Sequence, residues 1–181
     1  MAKIMQKMIA VCGGKKAGRK ALKSCEELGR AIALGGFHLV TGATIGASHA
    51  AAQGARKAGG KTLGISPAKS AEEHVLEYGY PVEGFDEIIF TGKGFVGRNI
   101  ELVKASDAVV FASGGIGTLN EFTLAIMMKK PIGILSGTGG FSSSAKAIMK
   151  SIGEKYAKVC YSRKPAKIIQ KLRKWIRGMM V

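Results

Sequence analysis

Short, wholly apolar runs alternate along the chain with longer stretches of helical periodicity. Seven such runs are rich in valine and isoleucine: Met8–Cys12, Phe37–Thr41, Thr62–Ser66, Glu87–Thr91, Asp107–Ala112, Pro131–Ser136 and Lys158–Tyr161. They lack the polar–apolar alternation of a half-exposed strand, so they are typical of strands buried on both faces. Helices are predicted between them at Arg19–Leu34, Gly46–Ala58, Arg98–Ala105, Thr118–Met128, Ser143–Gly153 and Pro165–Met179.

This alternation of strands and helices predicts an α/β protein with a three-layer, Rossmann-like fold. We expect a mostly parallel sheet with helices on both faces. The more polar segment 67–86 interrupts the alternation and is interpreted as a surface excursion that flanks a ligand. The 181 residues contain no internal repeat or second compositional region, so one domain, 1–181, is expected.

Three glycine-rich segments follow predicted strands, where open parallel sheets bind ligands. Loop one is Gly13–Gly18, loop two is Thr41–Gly46 and loop three is Ser113–Glu121. Glycines let the backbone approach a ligand closely, and the helix predicted after loop three adds unpaired N–H donors. The pattern indicates a phosphate or nucleotide site, although neither common phosphate-binding fingerprint fits. The candidate ligand-binding residues in these loops are Gly13, Gly14, Gly42, Gly46, Ser113, Gly114, Gly115, Gly117 and Thr118.

Two charged residues near loop three each have two interpretations. Arg98 lies near the start of a predicted helix, where its charge opposes the helix dipole, so it either grips phosphate or is a surface residue. Glu121 lies three residues after Thr118, the spacing of a capping box. Glu121 is alternatively a carboxylate placed beside a bound nucleotide, and the two interpretations are compatible.

The formal net charge of +16 comes from 28 lysines and arginines against 12 acidic residues. The excess lies in segments 1–30 and 146–177, whereas 31–145 holds equal numbers of each sign. We interpret the charge as mainly a surface property. Nucleic acid is an unlikely partner, because only 7% of residues are aromatic and no nucleic-acid motif is present. Lys15 and Lys16 in loop one are interpreted as solvated charge, with contact to an anionic ligand as the alternative if the fold brings them to the mouth of the site.

The three cysteines and three histidines are scattered along the chain, so no metal site is expected. No apolar run reaches the ~18 residues of a membrane-spanning helix. The N-terminal apolar run ends in Gly-Gly-Lys-Lys, unlike a signal peptide. We therefore expect a cytoplasmic protein that is not associated with a membrane.

Loop three carries a family resemblance. Ser113-Gly-Gly-Ile-Gly-Thr-Leu-Asn-Glu121 resembles the P-G-G-x-G-T-x-x-E motif of Lonely Guy (LOG)-type proteins, which are often labelled lysine decarboxylases, and Arg98 matches their upstream arginine. Gly97-Arg98-Asn99 and Ser106-Asp107-Ala108 are more similar to the branch that includes molybdenum-cofactor carrier proteins. The similarity extends from about Met8 to Tyr161.

The resemblance implies a Rossmann-like fold, a homodimer or tetramer, and a small phosphorylated ligand. That ligand would be a nucleoside monophosphate or a pterin nucleotide, with no further cofactor required and with Asn99 among the residues that bind it. In the hydrolytic members, the residues matching Arg98 and Glu121 serve cleavage of a nucleoside 5′-monophosphate into free base and ribose 5-phosphate. Here Ser113 replaces the leading proline of the motif, and Asn99 replaces the usual lysine.

Two functions from different classes follow. In the first, the protein binds or carries a phosphorylated ligand without converting it, an interpretation that Asn99 favours. In the second, it is a nucleoside monophosphate phosphoribohydrolase in which Arg98 holds the phosphate and Glu121 stabilises the ribose cation or positions water.

Overall fold

The computed structural model describes residues 6–153 and 158–179. The strands are β1 (Met8–Gly13), β2 (His38–Thr41), β3 (Thr62–Ser66), β4 (Glu87–Phe90), β5 (Ala108–Ala112), β6 (Ile132–Leu135) and β7 (Val159–Ser162). The helices are α1 (Arg19–Leu34), α2 (Ala47–Lys57), α3 (Ala71–Leu76), α4 (Gly94–Ala105), α5 (Ile116–Met127), α6 (Phe141–Ser151) and α7 (Pro165–Arg177).

The seven strands form one parallel sheet in the order β4-β3-β2-β1-β5-β6-β7. From β1 the chain adds strands outward to β4 and then crosses back to place β5 on the other side of β1. Gly13 at the end of β1 pairs with Ala112 at the end of β5, so the two strands end level. A crevice for ligands is expected where the strand order reverses in this way, and loops one and three leave the sheet at that point.

Alternate residues of the central strands enter two separate cores. Ile9 and Val11 of β1 pack with apolar residues of α1, α2 and α7, whereas Ala10 and Cys12 pack with those of α4, α5 and α6. Helices therefore cover both faces of the sheet, which explains why its central strands are apolar throughout. The two edge strands, β4 and β7, contain exposed residues, so their predicted burial on both faces is wrong. The predicted α/β, three-layer fold is confirmed.

Small residues bring α2 close to α1 and to the end of β1. A side chain at Gly29 of α1 would lie 1.8 Å from the carbonyl oxygen of Ala51, and one at Gly54 of α2 would lie 2.0 Å from that of Glu26. The N–H of Ala47, the first residue of α2, donates to the carbonyl of Gly14 at 2.9 Å. The beginning of α2 is thus fixed beside loop one, which brings loops one and two together.

Several helix starts differ from the prediction. α4 begins at Gly94 rather than Arg98, α5 at Ile116 rather than Thr118, and α6 at Phe141 rather than Ser143. The N-cap residues of α5 and α6 are Gly115 and Gly140, so neither helix has a polar capping side chain that would mark its start in the sequence. Each of these three helices begins two to four residues earlier in the chain than the sequence pattern predicts.

The segment 67–86 contains a short helix that the sequence pattern did not reveal. Ser70 caps α3, because its Oγ accepts a hydrogen bond from the N–H of Glu73. With six residues and only His74 buried, α3 is too short to show helical periodicity. None of the helices in the described parts of the chain is both long enough and apolar enough to cross a membrane.

Candidate functional site

A pocket of about 430 Å³ opens at the carboxyl ends of β1 and β5. Its lining comes from the end of β1, from loops one, two and three, from the starts of α2 and α5, and from the first two turns of α4. The lining residues are Val11, Cys12, Gly13, Gly14, Lys15, Gly42, Thr44, Ser48, Phe95, Val96, Arg98, Asn99, Gly115, Ile116, Gly117, Thr118, Asn120 and Glu121. The pocket thus lies at the point where the strand order reverses.

One side of the pocket, which we call the buried wall, consists of Arg98, Asn99 and Glu121. Arg98 and Glu121 are each 6% exposed, and Nη1 of Arg98 lies 3.3 Å from Oε1 of Glu121. Arg98 is the fifth residue of α4, one turn further into the helix than predicted, and its interpretation as a surface residue is wrong. Its Nε is fully buried and has no acceptor within the described part of the protein. A buried positive charge that lines a pocket favours an anionic ligand there.

Gly42 of loop two makes room for the guanidinium of Arg98. A Cβ at this position would lie 1.7 Å from Nη1 and 2.5 Å from Cζ of that side chain. The guanidinium is therefore confined between the backbone of loop two and the carboxyl group of Glu121. The guanidinium leaves no room for a side chain at position 42, so a glycine is required there. The sequence could not show that this position faces Arg98.

Burial raises the pKa of Glu121 to about 7, and the attraction of the Arg98 guanidinium offsets only part of that effect. Burial also raises the pKa of the Cys12 thiol well above its ordinary value, and the negative charge of Glu121 raises it further. Cys12 is therefore a neutral thiol near pH 7. Glu121 can exchange a proton at that pH, which is a requirement for an acid or base in catalysis.

The predicted capping box at Thr118 and Glu121 is wrong. Gly115 is the N-cap of α5, no side chain caps this helix, and Thr118 is already its third residue. Residues three apart in a helix share one face, so Thr118 and Glu121 both line the pocket. The N–H groups of Ile116, Gly117 and Thr118 have no acceptor among the described residues, and the positive end of the α5 dipole lies at the same place.

Asn99 connects α4 to α5 behind the ion pair. In the amide orientation that fits its surroundings, its nitrogen donates to Oε1 of Glu121 at 3.2 Å and to the carbonyl of Phe95 at 3.1 Å. Its oxygen then lies 2.9 Å from the side-chain amide of Asn120, which donates an N–H to it when that amide is turned as well. Asn99 thus adds a neutral hydrogen bond to Glu121, where a lysine would add a second positive charge.

The structure brings most of the candidate residues to the pocket, but not all. Gly13, Gly14, Gly42, Asn99, Gly115, Gly117 and Thr118 line it together with Arg98 and Glu121, whereas Gly46, Ser113 and Gly114 do not. Gly46 adopts φ +83° and packs against the carbonyl of Gly14. Its role in the fold is to hold loops one and two together.

Ser113 and Gly114 face the loop before α6 instead of the pocket. The N–H of Ser113 donates to Oγ1 of Thr138 at 2.8 Å, and the carbonyl of Gly114 accepts from the N–H of Phe141 at 2.7 Å. Both residues have positive φ angles, +57° and +100°, which turn the chain toward α5. The loop around Thr138 thus supports the backbone of loop three.

The other side of the pocket, which we call the exposed rim, consists of Lys15, Phe95, Val96 and Ile116. Val96 and Ile116 are 68% and 83% exposed, unusual values for large apolar side chains that line a pocket. The sequence pattern missed Phe95 and Val96 because it did not predict the first turn of α4. It also missed Thr44, Ser48 and Asn120, since isolated hydroxyl and amide residues carry no spacing signal.

Among the described residues, no three histidine, cysteine, aspartate or glutamate side chains are grouped as a metal site requires. Glu121 is the only acidic residue in the pocket lining. The groups that define the pocket are therefore backbone N–H donors, two cationic side chains, amides and hydroxyls. Such a set suits an anionic ligand.

The fold and this pocket define a class of Rossmann-like proteins with a glycine-rich loop, an arginine on one helix and a glutamate on the next. A family model described as the SLOG cluster4 family matches residues 6–169. The chain belongs to this family, and the resemblance to LOG-type and molybdenum-cofactor carrier-like proteins is confirmed.

Solved structures of similar proteins cover nearly the whole chain. The molybdenum cofactor binding protein from Rippkaea orientalis is 30% identical with a TM-score of 0.77, covering 98% of this chain and 99% of its own. The molybdenum cofactor carrier protein from Chlamydomonas reinhardtii is 28% identical with a TM-score of 0.77, covering 95% and 99%.

An enzyme is also among the relatives. The cytokinin riboside 5′-monophosphate phosphoribohydrolase of Mycobacterium tuberculosis is 32% identical over 111 residues. The match covers 61% of this chain and 56% of the enzyme. The similarity therefore extends over little more than half of the enzyme's length.

Proposed function

We propose that the protein binds a small phosphorylated ligand in the pocket between loops one, two and three. The phosphate would lie at the start of α5, where the N–H groups of Ile116, Gly117 and Thr118 have no protein acceptor among the described residues. The guanidinium of Arg98 would neutralise its charge, and Gly115 and Gly117 would allow close approach of the backbone. A nucleoside monophosphate or a pterin nucleotide has the required chemistry.

The observation that carries this proposal is the group of donors that line one pocket: the guanidinium of Arg98 and the N–H groups at the start of α5, which have no acceptor among the described residues. Arg98 is 6% exposed, so water screens its charge only weakly. A phosphate at the start of α5 would accept hydrogen bonds from those N–H groups and balance the guanidinium charge. The relatives that are named for binding molybdenum cofactor support a ligand of the pterin type.

The proposal is tested by measuring the melting temperature with adenosine 5′-monophosphate, guanosine 5′-monophosphate and the two parent nucleosides. We expect the monophosphates to raise the melting temperature and the nucleosides to raise it less, because only the former supply an anion. Native mass spectrometry of freshly purified protein covers ligands outside this panel, including pterins. No shift with any monophosphate, together with a ligand-free mass, would contradict the proposal.

A second candidate function is phosphoribohydrolase activity on the same ligands. The observation that favours it is Glu121, a carboxyl group with a pKa of about 7 that lines the pocket and contacts Arg98. Deprotonated Glu121 would stabilise the positive charge that develops on the ribose, or position the attacking water. Holding the ribose phosphate at α5 would orient the glycosidic bond toward this carboxylate.

The two functions differ in whether the ligand survives. Incubation with purine nucleoside monophosphates, followed by chromatography, would reveal free base and ribose 5-phosphate if the second function is correct. Release should rise with pH through about 7, since the ionised form of Glu121 is the reactive one, and Glu121→Gln should abolish it. Binding without any release would leave the protein as a ligand-binding or carrier protein.

A further inference from the structure

Lys15 occupies a place in the exposed rim that its neighbour Lys16 does not share. It follows β1 in loop one and lines the pocket. Its Nζ lies 4.8 Å from the ring centroid of Tyr80 and 4.8 Å from that of Phe95. The ammonium group is thus held between a residue of the segment 67–86 and the first turn of α4, at the mouth of the pocket.

The two rings are themselves held in place. Tyr80 is 4% exposed, its N–H donates to the carbonyl of His74, and its ring packs on the ring of His74 with centroids 5.6 Å apart. Tyr78 contacts both rings of the sandwich, with centroids 5.6 Å from Tyr80 and 5.6 Å from Phe95. This packing reduces the freedom of a long side chain that would otherwise be mobile in solvent.

The rings attract the ammonium group but offer its three N–H donors no strong acceptor. No carboxylate within the described residues forms an ion pair with Lys15. Lys15 therefore combines a fixed position with a charge that no described acid neutralises.

Loop one also lies directly against loop three. A Cβ at Gly14 would be 2.9 Å from the backbone nitrogen of Gly114, so the residue before Lys15 touches the loop that leads into α5. The lysine thus belongs to the same pocket as the backbone donors of α5 and Arg98, approaching from the rim while Arg98 approaches from the buried wall.

We propose that Lys15 is a ligand-binding residue that contacts the anionic group of the pocket's occupant, and that Tyr80 and Phe95 are positioning residues for its ammonium group. This inference rests on the proposed function, since it requires a phosphorylated ligand. It adds a residue from the opposite side of the pocket to the phosphate contacts of α5 and Arg98. Lys16, which is exposed and does not line the pocket, has no such role.

Calorimetric titration of adenosine 5′-monophosphate, adenosine and inorganic phosphate into matched variants tests the inference. Lys15→Met removes the charge, Lys15→Arg retains it, and Lys16→Met removes the same charge one residue away. We expect Lys15→Met to weaken monophosphate binding about 10-fold, the typical loss for a hydrogen bond to a charged group. Lys15→Arg and Lys16→Met should stay within about 3-fold of the unmodified protein.

Two further measurements separate ligand binding from a merely structural role. The logarithm of monophosphate affinity should fall less steeply with salt concentration in Lys15→Met than in Lys16→Met, since one direct charge contact has been removed. Adenosine affinity and the melting temperature should be nearly the same in both. A lower melting temperature for Lys15→Met with unchanged monophosphate affinity would show that the lysine only packs on the rings, and would overturn the inference.

The outcomes also distinguish this inference from the proposed function. If the unmodified protein binds the monophosphate and Lys15→Met behaves like Lys16→Met, the inference is wrong and the proposed function stands. If the unmodified protein binds neither the monophosphate nor inorganic phosphate at millimolar concentration, and its native mass after purification is ligand-free, both are contradicted.

Discussion

On the buried wall of the pocket, Arg98 and Glu121 are each 6% exposed and bound to each other, whereas on the exposed rim Lys15 is held only by two aromatic rings. Burial makes every group of the wall part of the folding energetics as well as of ligand binding. The rim lies in solvent, where charges are screened and contribute little to stability. Changes to the wall should therefore alter both stability and binding, and changes to the rim should alter binding alone.

The largest effect is expected from Arg98→Met, which removes the only cationic side chain of the buried wall. Glu121 then loses its ion-pair partner, and breaking a buried pair in this way costs about 3–5 kcal/mol, less if Glu121 takes up a proton. Monophosphate affinity should fall at least 100-fold, since both the charge and the buried donor are lost. Chemical denaturation and calorimetric titration measure the two effects.

Lys104→Met is the matched control for this prediction. Lys104 lies on the same helix but is exposed and does not line the pocket. The stability and the monophosphate affinity of Lys104→Met should remain close to those of the unmodified protein. Undiminished monophosphate binding by Arg98→Met would remove the distinction between wall and rim.

Glu121→Gln should change how stability depends on pH. The pKa of Glu121 is raised to about 7 in the folded protein, so its proton stabilises the fold fully below about pH 4.5 and this contribution disappears as pH rises through 7. Glutamine has no such dependence. The free energy of unfolding of Glu121→Gln minus that of the unmodified protein should therefore increase by about 3 kcal/mol between pH 4.5 and pH 8.

Urea denaturation at a series of pH values provides this difference. Glu87→Gln serves as the control, because Glu87 is exposed on the edge strand β4 and away from the pocket. A flat difference for Glu121→Gln would show that burial does not control the charge of the wall.

Gly42→Ala tests the packing of the wall without removing any charge. The new methyl group would overlap Nη1 of Arg98, and the end of that flexible side chain must move. We expect monophosphate affinity to fall about 10-fold and stability to fall by about 1–3 kcal/mol, as in other overpacked sites. Calorimetric titration and chemical denaturation again provide the two values.

Gly18→Ala is the control for this substitution in another loop beside the pocket. Gly18 has φ −69°, and a Cβ there would meet no atom within 4 Å. Gly18 is also the N-cap residue of α1, so Gly18→Ala should lower stability by at most about 1 kcal/mol and leave monophosphate affinity unchanged. Equal losses of monophosphate affinity in Gly42→Ala and Gly18→Ala would mean that the position of the Arg98 guanidinium does not matter for binding.

The smallest effect is expected from neutralising the basic face of α7. Lys167 and Lys174 are exposed, while Ile168, Ile169, Leu172 and Ile176 on the same helix are buried. A Lys167→Gln/Lys174→Gln double variant should bind the monophosphate within about 2-fold of the unmodified protein, because screening at physiological salt removes the influence of distant charges. Its retention on a heparin column should decrease. A large loss of monophosphate affinity would show that general basicity, rather than the pocket, attracts the ligand.

The hydrophobic pattern predicted all seven strands and the three-layer arrangement, because the central strands are buried on both faces and form unbroken apolar runs. It did not separate these from the edge strands β4 and β7, which are partly exposed. It also placed the three glycine-rich loops at the correct edge of the sheet. It could not place the first turn of α4, which begins in Gly94-Phe95-Val96 without any capping signal. For that reason the sequence pattern did not identify Phe95 and Val96, two of the four residues of the exposed rim.

Local sequence pattern gave wrong predictions for residues whose contacts lie far away in the chain. Thr118 and Glu121 have the spacing of a capping box, yet Glu121 contacts Arg98, 23 residues earlier, and Gly115 begins the helix. Ser113 and Gly114 belong to the motif but support loop three from behind through Thr138 and Phe141. The neighbours that a motif residue meets are set by the packing of α4, α5 and α6, which spacing within one segment does not contain.

Native mass spectrometry of the freshly purified protein, with and without added adenosine 5′-monophosphate, shows whether the pocket holds a phosphorylated ligand. We expect a bound phosphorylated small molecule, either carried through purification or taken up from the added monophosphate, and we expect Arg98→Met to retain neither. A ligand-free mass for the unmodified protein under both conditions, or equal retention by Arg98→Met, would contradict this expectation.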